Sequence, residues 1–247
     1  MELSVQLYSV RDAVAEDLQG TVARLARIGF ANVEPYNFVA LADELRAALD
    51  ATGLKAPSGH APLLREDQEE IFAAAVKLGI GTVIDPYLPA EHWETEEQVA
   101  ETAAKLNAAA RAGAAHGIRV GYHNHEWEIS SRFNGTTALE LLASQLDPEV
   151  VLEVDTYWVA VGGEDPAALL DRLGDRVRLV HLKDGPISRD TAAQQPAGQG
   201  AMPVDAVVAA AVRNGVETGV VEFDSYTGDL FEALAASLAY LSAGAAR

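Results

Sequence analysis

The sequence predicts one α/β domain over residues 1–247, a single (β/α)8 TIM barrel. Short runs rich in Val, Ile and Leu alternate eight times with longer Ala-, Leu- and Glu-rich stretches of helical spacing. A chain of 247 residues also has the usual length for eight such units. An open doubly wound sheet is the alternative, but it generally has fewer strands, and no G-x-G-x-x-G sequence follows the first apolar run.

The eight apolar runs are the predicted strands, and each is followed by a predicted helix. The strands begin at Leu3, Phe30, Lys55, Thr82, Arg119, Val150, Val177 and Gly219. The helices are expected near residues 13–28, 40–51, 65–78, 93–116, 136–146, 166–173, 203–214 and 228–243. The longest irregular stretch, 185–202, follows the seventh strand and is interpreted either as a lid over the catalytic face or as a plain surface loop.

Composition excludes several classes of function. The chain has 18 Lys and Arg against 37 Asp and Glu, a formal charge of −19, so neither a nucleic acid nor an anionic membrane is an expected partner. It has no cysteine, so any metal must be held by carboxylate, imidazole or amide groups. Since neither a signal segment nor about eighteen consecutive apolar residues occur, we expect a cytoplasmic protein.

Polar residues gather where the predicted strands end, which is where TIM barrels carry their functional groups. In order along the chain they are Glu34, His60, Asp85, His123, His125, Asp155, His181, Lys183, Glu222 and Asp224. Each has a structural interpretation as a cap or a hydrogen-bonded residue. Asp155, His181 and Glu222, however, stand at three successive strand ends and form an O/N donor set that suits Mn²⁺, Mg²⁺, Zn²⁺ or Co²⁺.

At these residues the chain resembles the sugar phosphate isomerase/epimerase family, the xylose-isomerase-like TIM barrels. The resemblance covers essentially the whole chain. Its segments are QLYSVRD (Gln6–Asp12), YHNHEWE (Tyr122–Glu128), LEVDTYWVAVGGEDP (Leu152–Pro166), VHLKDG (Val180–Gly185) and VVEFD (Val220–Asp224). The superfamily includes ketose 3-epimerases, inosose dehydratases, hydroxypyruvate isomerases and endonuclease-IV-type nucleases. The charge of −19 argues against the nuclease branch.

The resemblance implies a metal centre with one departure from the family pattern. The ketose epimerases hold their metal with Glu, Asp, His and Glu from strands five to eight, and three of these positions carry over to Asp155, His181 and Glu222. Strand five has no glutamate, so the fourth ligand would be His125 or His123. The Asp-x-x-His pattern of strand six also loses its histidine, because Trp158 stands in that place.

The implied activity is a metal-dependent sugar isomerase or epimerase that works through an enediolate or enolate. Catalytic roles fall on Glu222, His123 and His60, and substrate binding on Glu34, Lys183 and Trp158. The missing strand-five glutamate leaves two alternatives open. One is a dehydratase or lyase of the inosose dehydratase or 3-keto-glycoside type, and the other is a non-catalytic sugar-binding barrel with an incomplete metal site.

The expected partner is a small neutral sugar or cyclitol. Near the last two loops only Lys183 and Arg189 are available for a phosphate group, which disfavours a phosphorylated substrate. Family membership also makes a homo-oligomer a possible state.

Overall fold

Eight parallel strands close into a barrel in the computed structural model, which describes residues 1–244. The predicted range of the domain, 1–247, runs three residues beyond that description. The strands are β1 (Glu2–Gln6), β2 (Asn32–Glu34), β3 (Ser58–His60), β4 (Thr82–Asp85), β5 (Arg119–His123), β6 (Val151–Asp155), β7 (Val177–Leu182) and β8 (Thr218–Val221). Every predicted strand is present at its predicted place, and the barrel prediction is confirmed.

The strands follow one another around the barrel in sequence order. Continuous ladders join β3 through β8 and then β8 to β1 and β1 to β2. Between β2 and β3 the pairing is partial: Val33 N–H donates to Lys55 C=O at 2.8 Å, and His60 N–H donates to Pro35 C=O at 2.8 Å. Because all strands run the same way, their carboxyl ends form one mouth, and the polar residues predicted there meet at that mouth.

Residues 1–244 form eleven α-helices in addition to the strands. They are α1 (Arg11–Glu16), α2 (Leu18–Ile28), α3 (Ala42–Thr52), α4 (Gln68–Leu78), α5 (Glu96–Ala114), α6 (Trp127–Ser130), α7 (Ala138–Gln145), α8 (Thr156–Val161), α9 (Pro166–Leu173), α10 (Val204–Arg213) and α11 (Leu230–Gly244). Thr95 and Thr137 form capping boxes at the starts of α5 and α7, and Asp165 caps α9 ahead of Pro166. Among residues 1–244 no helix combines the length and apolarity that crossing a bilayer requires.

The core lies between the barrel wall and the helices that surround it. Outward-facing strand residues such as Val33, Val83 and Val120 have no exposed surface, and they pack against helix residues such as Val22 and Leu106. Each such burial stabilises the fold by roughly 1.5–3 kcal/mol before conformational entropy is subtracted. This ring of apolar contacts holds the strand ends in fixed positions.

Two helices and a hairpin were not predicted. Helix α8 begins directly after β6. The apolar run VVLEVDTY, which starts at Val150, instead predicts a strand that continues to Tyr157. The strand stops because Asp155 Oδ1 accepts from the N–H groups of Tyr157 and Trp158, each at 3.0 Å, and so caps a helix. Helix α6 and a hairpin of Arg132–Phe133 with Thr136–Thr137 add a small layer after β5.

The loop 185–202 is folded around one buried carboxylate. Asp184 Oδ1 accepts from Gly185 and Met202 N–H at 2.7 and 3.0 Å, and Oδ2 accepts from Gly198 and Gly200 N–H at 2.9 and 3.0 Å. Glycine is required at position 200, because a Cβ there would lie 2.3 Å from the Gly185 nitrogen. The loop is therefore fixed against the barrel mouth along most of its length.

Candidate metal centre

A cavity of about 350 Å³ opens at the carboxyl ends of the strands. Its lining consists of aromatic residues around the rim and ionisable residues below them: Tyr8, Tyr36, Asn37, His60, Pro86, Tyr87, His123, His125, Glu222 and Asp224. Tyr8 meets Tyr36 edge to face with ring centroids 5.3 Å apart, and both Tyr8 and Tyr87 are about two-fifths exposed. Aromatic walls over a polar floor suit a small molecule that has both C–H and hydroxyl surfaces.

Glu222 lines this cavity, and Asp155 and His181, which have no exposed surface, lie next to it. One ligand atom of each lies within 4.8 Å of the others, and all three residues are buried. His181 Nδ1 is 2.7 Å from Glu222 Oε2. Asp155 uses Oδ1 to cap α8, which leaves Oδ2 directed at the site. Two carboxylate oxygens and one imidazole nitrogen form a donor set that fits a divalent cation.

Lys183 places an ammonium group in the same position. Its Nζ lies 2.8 Å from Asp155 Oδ2, 2.7 Å from Glu222 Oε2 and 2.9 Å from both Asp224 oxygens. Burial alone lowers the pKa of Lys183, but the three carboxylates hold it well above its usual value. Lys183 therefore stays charged and offsets part of the negative charge of this wall.

The same ion pairs separate the pKa values of the two carboxylates among the metal-ligand candidates, Glu222 and Asp155. Burial raises the pKa of Glu222, but Lys183 and His181 outweigh it and hold that pKa well below the usual range. For Asp155 burial prevails and raises the pKa to about 6. Glu222 is thus an ionised carboxylate at neutral pH.

A second group of ligand-type residues lies beside the first and shares His181 with it. His60, His123, Glu153 and His181 each offer an atom within 4.8 Å of the others. Glu153 Oε2 is 2.5 Å from His60 Nε2, 3.1 Å from His123 Nδ1 and 3.2 Å from His181 Nε2. The two carboxylates Glu34 and Glu153 outweigh burial and raise the pKa of His60 to about 10, whereas burial and His181 lower the pKa of His123.

His125, the predicted fourth ligand, lies in the cavity wall outside both groups. Its ring stacks on Trp127 at 4.6 Å with the planes 4° apart. Burial and the Lys183 charge lower its pKa to about 3, so the ring is neutral. Its strand-five neighbour His123 is nearer to Asp155, with 3.6 Å between Nε2 and Oδ2.

None of the three predicted substrate-binding residues, Glu34, Lys183 and Trp158, lines the cavity. Glu34 is fully buried, with hydrogen bonds from Gln6 and Ser58, and its Oε1 lies 3.0 Å from His181 Nε2. Trp158 is 7% exposed and packs against Tyr157, with the Lys183 ammonium 5.7 Å from its ring. The sequence places both residues near the mouth, but their side chains support the floor rather than face the opening.

Several residues that support the site were not predicted from the sequence. Gln194, from the folded loop, donates to Asp224 Oδ2 at 2.6 Å and accepts the Asp224 N–H at 2.8 Å, so it orients a carboxylate that contacts Lys183. Glu128 accepts from the Tyr122 hydroxyl at 2.6 Å and from the His125 N–H at 2.9 Å, and burial raises its pKa to about 8. The i, i+3 spacing of His125 and Glu128 in YHNHEWE was a usable signal, whereas the position of Gln194 depends on how the loop folds.

The sequence model of the xylose isomerase-like TIM barrel family matches residues 22–242, so the chain belongs to that family. Among curated relatives, the inosose dehydratase of Clostridium beijerinckii is 30% identical over 105 residues, 42% of this chain and 34% of that protein. Inosose dehydratase 2 of Bacillus cereus is 30% identical over 135 residues, 53% of this chain and 42% of that protein. The matched segments thus span less than half the length of these relatives.

Solved structures extend the similarity over nearly all of the chain. A sugar phosphate isomerase/epimerase from Parabacteroides distasonis has a TM-score of 0.82 and 25% identity, covering 98% of this chain and 93% of its own. The IolI protein with a bound zinc atom has a TM-score of 0.77 and 15% identity, covering 99% and 98% of the two chains. At that identity the second similarity concerns the fold alone.

Proposed function

We propose that this protein is a divalent-metal-dependent enzyme that removes a proton next to the carbonyl group of a sugar or keto-sugar. The observation that carries the proposal is the cluster of Asp155, His181 and Glu222, of which Glu222 lines the mouth cavity. The family, whose relatives include isomerase/epimerase and dehydratase names, supports the same class of chemistry.

Asp155, His181 and Glu222 would hold the cation, with a strand-five histidine as a fourth ligand. His125 is the ligand we proposed from the sequence, and His123 is the alternative nearer to Asp155. When bound, a divalent cation polarises a carbonyl oxygen and lowers the energy of the enediolate or enolate formed next to it.

The proton would be moved by unlike groups. Glu222 is ionised and faces the cavity, so it is the proposed base. His60 and His123 also line the cavity, and the raised pKa of His60 keeps it protonated as a donor. A carboxylate base together with an imidazolium acid supports isomerisation or epimerisation in which one group removes the proton and a different group donates one.

The same pair favours a second candidate, the elimination of water from a keto-cyclitol or 3-keto-glycoside. In that reaction Glu222 removes the proton beside the carbonyl, and His60 protonates the departing hydroxyl. The relatives named inosose dehydratase support this alternative.

A neutral substrate fits the charges of the mouth. Among the cavity-lining residues of the described chain none is lysine or arginine. Lys183 is bound by three carboxylates, and the Arg189 guanidinium pairs with Glu126 at 3.0 Å. A phosphate group inside the cavity would therefore meet carboxylates and no lysine or arginine among the lining residues.

The test is an NMR screen of ketoses, inososes and 3-keto-glycosides in D₂O with Mn²⁺- or Co²⁺-loaded protein. Proton removal next to the carbonyl exchanges that hydrogen for deuterium, a new sugar spectrum identifies isomerisation, and an unsaturated ketone identifies water loss. Glu222→Gln should abolish the exchange, and Glu232→Gln, on the exposed side of α11, should leave it unchanged. No exchange with any of these substrates in the metal-loaded wild type would contradict the proposal and leave the non-catalytic sugar-binding barrel.

A further inference from the structure

We propose that His60, His123, His181 and Glu153 form a second divalent-cation position, one that takes Zn²⁺ and that excludes occupation of the Asp155–Glu222 position. The inference deepens the proposed function, since the two positions share His181. It does not depend on which substrate is used.

Three imidazole nitrogens converge on a single carboxylate oxygen. His60 Nε2, His123 Nδ1 and His181 Nε2 lie 2.5, 3.1 and 3.2 Å from Glu153 Oε2. They come from three different strands, β3, β5 and β7, and each side chain is at least nine-tenths buried. Three histidines with one carboxylate form a ligand set that zinc readily accepts, with Zn–N distances of about 2.0–2.1 Å.

The other oxygen of the Glu153 carboxylate is unpaired in the described part of the chain. Glu153 is fully buried, and its Oε1 has no hydrogen-bond partner within residues 1–244. Leaving a buried carboxylate oxygen unpaired destabilises the fold. A cation held by Glu153 would remove that cost.

The local charge also matches a dication. Glu34 Oε1 lies 3.1 Å from His60 Nε2 and 3.0 Å from His181 Nε2, so a second carboxylate faces the same nitrogens as Glu153. A cation bound by the three imidazoles would displace their protons, and the two carboxylates would then leave a charge of −2, which a divalent cation balances. Buried charges persist when they are paired in this way.

His181 makes the two positions mutually exclusive. Its Nδ1 is directed at Glu222 and its Nε2 at Glu153 and Glu34. A neutral imidazole has one nitrogen lone pair, so His181 can bind a cation on one side only. The imidazole-rich side suits Zn²⁺ and the carboxylate-rich side suits Mn²⁺ or Mg²⁺. His60 and His123 line the cavity, so a cation can reach the inner position from the mouth.

Titration calorimetry of metal-stripped protein with ZnCl₂ and MnCl₂, together with the Mn²⁺ EPR signal, tests the proposal. His60→Gln and Glu153→Gln should weaken Zn²⁺ binding by at least about tenfold, equivalent to 1.4 kcal/mol, and leave Mn²⁺ binding unchanged. Asp155→Asn should do the reverse. His116→Ala, in the helical layer beside Glu69, is the matched control and should change neither. Zn²⁺ should release Mn²⁺ from the wild type one for one.

Zinc affinity that falls with Asp155→Asn but not with His60→Gln would overturn the inference, as would one Zn²⁺ and one Mn²⁺ bound together. Should the variants fail to fold, X-ray absorption of the zinc-loaded wild type decides: three imidazole ligands support the second position, and one or two imidazoles refute it. Absence of any Mn²⁺ binding alongside three-imidazole zinc binding would contradict the proposed function alone.

Discussion

At the scale of single residues, Lys183 is held by three carboxylates of this site. It was predicted to bind substrate, yet its ammonium contacts Asp155, Glu222 and Asp224 at 2.7–2.9 Å and is buried. The lysine supplies positive charge to carboxylates that would otherwise repel one another in a poorly solvated space. The ammonium lies where a cation bound by Asp155, His181 and Glu222 would sit. The charge of Lys183 therefore stabilises the metal-free form.

Replacing Lys183 by methionine should therefore destabilise the metal-free protein. Removing one partner of a buried ion pair costs about 3–5 kcal/mol, which corresponds to a Tm lower by roughly 6–20 °C in a chain of this size. Added Mn²⁺ should recover more of the Tm in Lys183→Met than it adds to the wild type. Lys105→Met, which breaks only the exposed pair with Glu101, is the control. Equal Tm values for the two variants would refute this role for Lys183.

Glu128 gives a prediction on pH. Burial raises its pKa from 4.5 to about 8, so the folded protein keeps this proton over a range in which the unfolded chain has lost it. Raising the pH from about 4.5 to about 8 should then lower the free energy of unfolding by about 1.4 kcal/mol per pH unit from this group. Glu128→Gln keeps a polar group beside Tyr122 and His125 but cannot ionise. Urea unfolding at about pH 5 and about pH 7.5 should show a smaller loss in the variant, and an identical loss would contradict the assignment.

At the scale of elements, the loop 185–202 depends on Asp184. Four backbone N–H groups donate to that carboxylate, two to each oxygen. The loop carries Gln194 to Asp224, so its conformation also determines the position of a carboxylate at the mouth.

Asp184→Ala should loosen this loop. Losing a charged acceptor for buried backbone donors should cost at least about 2 kcal/mol and should expose 185–202 to limited proteolysis. Asp190→Ala is a suitable control, because within residues 1–244 the Asp190 side chain accepts only from Ala192 N–H, at the start of a short 3-10 turn. A protease pattern unchanged in Asp184→Ala would show that the loop is held by other contacts.

The elements also show which parts of the fold and of the site can be predicted from sequence patterns. The alternation of apolar runs and helical stretches was sufficient for all eight strands, because period and length are local properties. Helix α8 was missed because TYWVAV is as apolar as a strand, and only the Asp155 cap decides between the two. Strand-end positions indicated Asp155, His181 and Glu222, since all strands share one direction. The convergence of His60, His123 and His181 on Glu153 depends on barrel geometry that no spacing in the sequence reveals.

At the scale of the whole molecule, the net negative charge of −19 is accompanied by an excess of carboxylates inside the barrel. Five carboxylates face three imidazoles and one ammonium at the floor of the mouth: Glu34, Glu153, Asp155, Glu222 and Asp224. Such a centre, with more carboxylates than cationic groups, favours cations over a phosphate. The arrangement supports a metal-dependent enzyme for neutral sugars or cyclitols.

The metal content of the protein tests both proposed cation positions most directly, because His181 belongs to both. Metal-stripped wild type, reloaded with Mn²⁺ or Zn²⁺ and desalted, should retain one divalent cation per chain by mass spectrometry and should gain Tm. His181→Ala should retain neither metal and show no Tm gain, while His116→Ala behaves as the wild type. Wild-type protein without stoichiometric metal, or His181→Ala with full metal content, would contradict the account.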